Sequence, residues 1–414
     1  MTTIAASQDP GSIRVAKSAG PFVGSAALVV AAASIGCLVI FETASFLGFA
    51  IHADSLHLAL QTWDYSSHDY ALEGFSMSRA TSLVPDLVVY GAVQLATGSW
   101  RVASLAYGVL SLIGLAIAAG AVVRKAAHCD WRMATQTFLL LTLPILMLEL
   151  PATAASGHMH LFLPTNHGGP FILALAALCV AWSWLERPAT GKLLLLFVLV
   201  AVGVLSDPLF VISCVGPSVA ALAYSLIRGR ISLRTIGPIL ACLAIGTAAA
   251  RGLDHFLVRD GLFSIEWPTV PAHARALLAS VVELAAAAPL TMLLAYLLPA
   301  MAFLTFPLIA RARGPHPRAL DAAEYWWVVS ASSVLATVFA TSLVYEGTWH
   351  YRYMMPVLWW PIVWTTVLVV RALGTARSPV VSLALSVKVF TVKCRNAVVS
   401  SSCQRSWRSL GTAP

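Results

Sequence analysis

Apolar runs alternate with short polar segments along nearly the whole chain, and most runs have the length that crosses a bilayer, about 20 residues. A polar segment with Arg14 and Lys17 precedes the first run, Pro21 to about Ala50. That run is too long for the core of a cleaved signal peptide, which predicts a retained helix with its N-terminus inside. Polar Ile51–Ser82 follows, with Asp54, Asp64, Asp69 and Glu73 against one Arg79. Pro85–Gly98 is apolar but too short to span, and reads as a helix along the outer surface. Ala103–Val123 crosses inward and Met133–Leu150 outward, to the outer loop Pro151–Gly169. Pro170–Leu185, Leu193–Leu205, Phe210–Ile227 and Ile236–Ala250 alternate in turn, and Arg251–Val281 forms a second outer loop. Leu284–Ala310, Tyr325–Val344 and Met354–Val370 complete about ten spans, with both termini inside. The reading is all-α: a polytopic transmembrane helix bundle with membrane-parallel helices in its first outer loop. Residues 1–378 form the membrane domain, and Ser-rich 379–414 a mobile cytoplasmic tail.

Composition excludes the soluble alternatives. Of 414 residues, 59% are hydrophobic and 11% charged, and mean hydropathy is +0.81. A soluble domain is about 25% charged, so a globular cytoplasmic enzyme, a disordered chain and a disulfide-knit secreted domain are ruled out. The net charge of +8 does not mark a nucleic-acid binder, because the basic residues lie in short clusters between apolar runs. Of 26 Lys and Arg, only Arg79, Arg101, Arg251, Arg259, Arg275 and Arg352 fall in outer segments, as the positive-inside rule expects. None of the seven cysteines shares a C-x-x-C spacing, and most sit in apolar runs as small packing residues.

Three constellations carry chemistry. Asp54 lies just past the first run with His57 three residues on, so one helical turn puts both on one face. A carboxylate at the membrane boundary is partly desolvated and suited to act as a base; Asp64 and Asp69 are further acids in the same loop. His158, His160 and His167 have no Cys or acid close in sequence and read as polar lining of an outer cavity rather than as metal ligands. In Tyr345–Pro356, Arg352 stands on the outer face against the charge bias, where a guanidinium can grip phosphate bidentately. Arg259 is a second candidate, and Tyr353 joins His57 and His167 as polar cavity residues. P-loop, GxGxxG-with-strand and G-x-S-x-G patterns are absent.

These residues resemble the GT-C class of integral-membrane glycosyltransferases, of the protein mannosyltransferase and aminoarabinose transferase type. Asp54-Ser-Leu-His-Leu-Ala stands where that class carries its acid. Pro85-Asp-Leu-Val-Val-Tyr-Gly leading to Ser99-Trp-Arg101 is similar to its Pro-Pro-Leu…Gly…Arg stretch. Tyr351-Arg-Tyr-Met-Met-Pro356, with Pro361, resembles its Tyr-x-x-Pro-x-x-Pro entry to the last helix. The match covers the first 125 residues or so and one late motif. It departs at Ser55, where the class has a second acid, at Asp86 in place of the second proline, and in having no C-terminal soluble domain.

The resemblance implies transfer of a sugar from a polyprenyl-phosphate donor to an outer-facing glycan, lipid or protein acceptor. Asp54 would deprotonate or orient the acceptor, and Arg352 and Arg259 would hold the donor phosphate. Membrane lipids are the other partners, nucleic acid is not one, no cofactor is called for, and a divalent cation is left open. The location implied is a bacterial inner membrane with both termini cytoplasmic. The alternatives are an envelope-glycan polymerase, ligase or lipid-linked-sugar transporter, and a non-catalytic membrane protein. The charge split makes a direct prediction. Ser67→Cys, Ser264→Cys and Thr348→Cys should react with an impermeant thiol reagent on intact cells, whereas Thr190→Cys and Gly314→Cys should not. Labelling at Gly314→Cys would break the ten-span topology.

Overall fold

The computed structural model describes residues 35–36, 53–67, 82–149, 157–163, 167–254, 267–312, 321–344 and 351–375. Every regular element among them is helical. The first-loop helices are α1 (Ala53–Ser67) and α2 (Leu83–Thr97). There follow α3 (Trp100–Ala127), α4 (Trp131–Glu149), α5 (Gly168–Glu186), α6 (Thr190–Ser206), α7 (Val211–Ile227) and α8 (Leu233–Asp254). The chain closes with α9 (Val270–Ala287), α10 (289–312), α11 (Ala322–Val344) and α12 (Met355–Thr375). Short 3-10 turns at Gly157–Phe162 and Tyr351–Met354 precede α5 and α12. Among the described residues, eight helices are long and apolar enough to cross a membrane, and the chain is an integral membrane protein. Of the first apolar run only Ile35–Gly36 is described; it is helical, with Gly36 lying against Leu143 of α4. The segment 379–414 lies outside the described residues.

The sequence sets the helix ends locally. Gly98 at φ 64 closes α2, its N–H donating to the Gln94 carbonyl, because a left-handed cap costs glycine least. One residue on, the Ser99 hydroxyl accepts from Val102 N–H and starts α3. The result is a sharp reversal from the first-loop helix into the first described span. Arg124 and Lys125 fall in the last turn of α3, where the helix dipole favours cations.

Lipid is as apolar as the side chains, so helices here associate through close packing and hydrogen bonds rather than by leaving water. The most enclosed helices are α3, α5 and α12, each 61% buried over its central window. Small residues bring them together. A Cβ added at Gly120 of α3 would stand 2.5 Å from Thr135 Cγ2 of α4, so the glycine sets how closely that pair approaches. Large aromatics fill the middle, with Tyr325, Trp326, Trp359, Trp360 and Trp364 all fully buried. Trp364 Nε1 donates to Ser330 Oγ at 2.8 Å, joining α12 to α11.

The two ends of the bundle differ in chemistry. At one end, basic groups are held by helix-terminal acceptors: Lys125 meets Glu186 at 2.7 Å, Arg230 pairs with Glu324, and Arg371 donates to the Ala126 carbonyl at 2.6 Å. The other end gathers the loops read from the sequence as outer, and is called the loop end below.

One sequence expectation needs correction. Arg251–Val281 was expected as a loop, yet its second half is α9, started by Pro271 in the first turn and carried by a run of Ala, Leu and Val. His273 Nδ1 donates to the Ser342 carbonyl near the end of α11, and Thr291 Oγ1, just past α9, donates to the Leu148 carbonyl near the end of α4. Both attachments are at the loop end, so α9 lies across that end instead of crossing, and only 6% of its window is buried. The expected span Leu193–Leu205 is a 17-residue helix, Thr190–Ser206, shorter than the eight candidate spans. Gly203 of this helix sits under the ring of Phe210, in the turn before α7, where any Cβ would overlap it. Gly203→Ala should therefore lower stability by about 1–3 kcal/mol, seen as a lower thermal midpoint in detergent. Gly191→Ala, with open space around it, should not lower it.

Candidate functional site

The start of α2 builds the loop end. Ser82 N–H donates to the Ser206 carbonyl and Val84 N–H to Ser206 Oγ, both at 3.0 Å, which stitches the first outer loop to the end of α6. Two residues later Asp86, fully buried, accepts from the Tyr107 hydroxyl at 2.7 Å. Asp86 also presses on Gly169 so closely that only a glycine fits there. One short segment is thus fixed to α3, α5 and α6 together. A carboxylate beside the first turn of α5 also suits the positive end of that helix.

Next to this dock lies a small pocket. Its polar wall holds His167, Asp207, Ser213, Thr337 and Tyr353, and Phe171, Ile212 and Met355 are among the apolar residues facing them. His167 Nδ1 is 2.5 Å from Asp207 Oδ2, and Asp207 Oδ1 accepts from Leu209 N–H at 2.9 Å. The turn after α6 therefore fixes the carboxylate, and the carboxylate fixes the imidazole. Tyr353 places its ring 4.8 Å from that of His167. The Ser213 and Thr337 hydroxyls donate to carbonyls one turn back in their own helices, at 2.9 and 2.7 Å, leaving their oxygens as acceptors. His167 has φ 63, a left-handed conformation in which glycine would be easier, so the backbone alone does not explain a histidine there.

A second histidine–carboxylate pair lies in the same end, closed off from the surface. Glu149 and His158 are both fully buried. His158 Nδ1 is 2.6 Å from Glu149 Oε1, its backbone N–H donates to Oε2 at 3.0 Å, and Tyr296 donates to Oε1 at 2.5 Å. His158 Nε2 reaches the Leu358 carbonyl at 3.3 Å. A carbonyl only accepts, so Nε2 carries a proton, and both ring nitrogens are occupied. Trp359 closes the other side edge-on at 5.1 Å. This cluster ties α4, α10 and α12 to the Gly157–Phe162 turn.

The residues singled out in the sequence divide as follows. His167 and Tyr353 come together in the pocket. Asp54 and His57 share the first turns of α1, and Asp64 lies ten residues further, about 15 Å along the axis, so Asp54 and Asp64 do not act at one point. The side chains of Asp54 and His57 lie outside the described residues, as do Asp69 and Arg259 entirely. Arg352 is on the Tyr351–Met354 turn beside Tyr353, its side chain also undescribed. Gln94 Nε2 donates to the Ala59 carbonyl at 3.0 Å and holds α1 against α2. Asp86, Glu149 and Asp207 were not singled out in the sequence as site residues. Their common signal was an acid bordering an apolar run, next to Pro in two cases. Among the described residues, no group of three or more His, Cys, Asp or Glu could hold a metal ion.

Comparison with protein-family models, with curated proteins and with solved structures finds no match to this chain. The class is therefore defined by the chain's own features: an integral membrane helix bundle with a polar pocket at its loop end.

The closed pair predicts a contrast in stability. Glu149→Ala strands the His158 and Tyr296 partners away from water, and should cost about 3–5 kcal/mol. Glu186→Ala breaks a pair about a third exposed and should cost about 0–1 kcal/mol. Thermal unfolding of the two purified variants in detergent reads the difference.

Proposed function

We propose that this chain is a membrane glycosyltransferase that moves a sugar from a polyprenyl-phosphate donor to an acceptor on the outer face of a bacterial inner membrane. The observation that carries this reading is the docking of the first outer loop. Its second helix is bonded to Ser206, one residue from Asp207, and abuts Gly169, two residues from His167. The turn before the last span seats Tyr353 on the other side of the same pocket. Of the three segments on which the GT-C resemblance rests, the Tyr351–Pro356 segment lines the pocket and the Pro85 segment packs on residues next to its wall, which supports the reading although the two lie more than 200 residues apart.

In this reading the loop end faces outward, as the charge distribution requires. Arg352, on the turn beside the pocket, holds the donor phosphate, and a guanidinium gives that contact both charge and a planar fork. Asp54 orients the acceptor hydroxyl or takes its proton. The lipid tail of the donor lies against the apolar helix faces.

Cells lacking the protein should accumulate a lipid-linked sugar, detectable by mass spectrometry of extracted lipids. Restoring the chain should clear it. Asp54→Asn should fail to clear it, with transfer down about 10²–10⁴-fold at unchanged membrane abundance, and Asp64→Asn should act much less. Arg352→Lys, which keeps the charge and loses the fork, should also reduce transfer. An unchanged lipid-linked sugar pool in the deletion would defeat the reading.

A further inference from the structure

We infer that His167, held by Asp207, is the general base that takes the acceptor's proton. This rests on the glycosyl-transfer reading above and names the group that receives the proton at its site. The two buried histidines make the case by comparison. His158 has both ring nitrogens engaged, by Glu149 and by the Leu358 carbonyl. His167 spends only Nδ1, on Asp207, and Nε2 has no hydrogen-bond partner among the described residues. Its side chain keeps 10% of its surface open, against none for His158, and it lines the pocket.

A carboxylate on one nitrogen fixes the tautomer and ring orientation and stabilises the imidazolium formed when the other nitrogen takes a proton. Asp207 is the positioning residue, since Leu209 N–H holds its second oxygen. In the step, the acceptor O–H bond breaks and its proton passes to Nε2 of His167. The acceptor oxygen forms a bond to the sugar's anomeric carbon. The bond from that carbon to the phosphate oxygen breaks, and polyprenyl phosphate departs with the electron pair. The proton then passes from His167 to water. Asp54 is left to orient the acceptor.

The test has two readouts. Diethyl pyrocarbonate acylates an accessible, unprotonated imidazole. Applied to the purified full-length chain and mapped by peptide mass spectrometry, it should modify His167 and spare His158. In membrane vesicles carrying the accumulated lipid-linked sugar, His167→Gly should lose transfer about 10²–10⁴-fold, and added imidazole should restore part of it. Glycine suits the left-handed backbone at this position, so the variant should fold. Asp207→Asn should lower kcat with little change in KM for the donor. Inert His167, or no rescue by imidazole, overturns the proposal while an accumulating donor still upholds the transfer reading. A reactive His167 in vesicles whose wild-type protein transfers nothing overturns the transfer reading, and the base role with it.

Discussion

A carboxylate withdrawn from water must be met by donors or it will not stay buried, and the loop end is organised around three such groups. Asp86 is met by Tyr107 of α3, Glu149 by His158 and Tyr296, and Asp207 by His167 and the Leu209 amide. Each draws together segments that are far apart in sequence. Close packing at glycines such as Gly120 brings helices together in lipid, and these polar contacts add direction to the arrangement. The loops follow from them: the Gly157–Phe162 turn is placed by Glu149, and the start of α5 is set between Asp86 and Asp207.

The two histidine–carboxylate pairs show how similar local chemistry diverges with its surroundings. Both ring nitrogens of His158 are answered and an indole closes the side, which leaves a structural knot. Around His167 one nitrogen remains unanswered at a pocket wall, and the same pairing becomes a means of moving a proton. The difference arises from what stands across the ring: a backbone carbonyl in one case, the pocket and Tyr353 in the other.

The helices of the bundle were legible because apolar runs of about spanning length follow directly from the bilayer. The short helix after the first outer loop was legible too, from its length. The helical half of the Arg251–Val281 segment was missed because its few charges resemble those of a loop, while its Ala-rich run favours a helix. His167 and Tyr353 were found as polar residues in outer segments. Asp207 was not, because nothing local in the sequence shows that a histidine forty residues earlier will lie against it. Asp86 was read as a departure from a family pattern. Its role depends on Tyr107 and Gly169, a contact that only the packing of three helices creates.

The clasp of Arg371 on the Ala126 carbonyl has a geometric consequence. It brings the far ends of α12 and α3 nearly level, yet α3 has 28 residues and α12 only 21. At 1.5 Å per residue, α3 overshoots the start of α12 by on the order of 10 Å at the opposite face. The molecule therefore has a step there: Trp100 and the reversal from α2 form the upper tread, and Tyr353 and His167 lie at its foot. A site at the foot of such a step is recessed by on the order of 10 Å from the top of the loop end. On the proposed transferase reading, a donor anchored by a prenyl chain would reach that level by diffusing sideways in the leaflet, without lifting its tail out of the hydrocarbon.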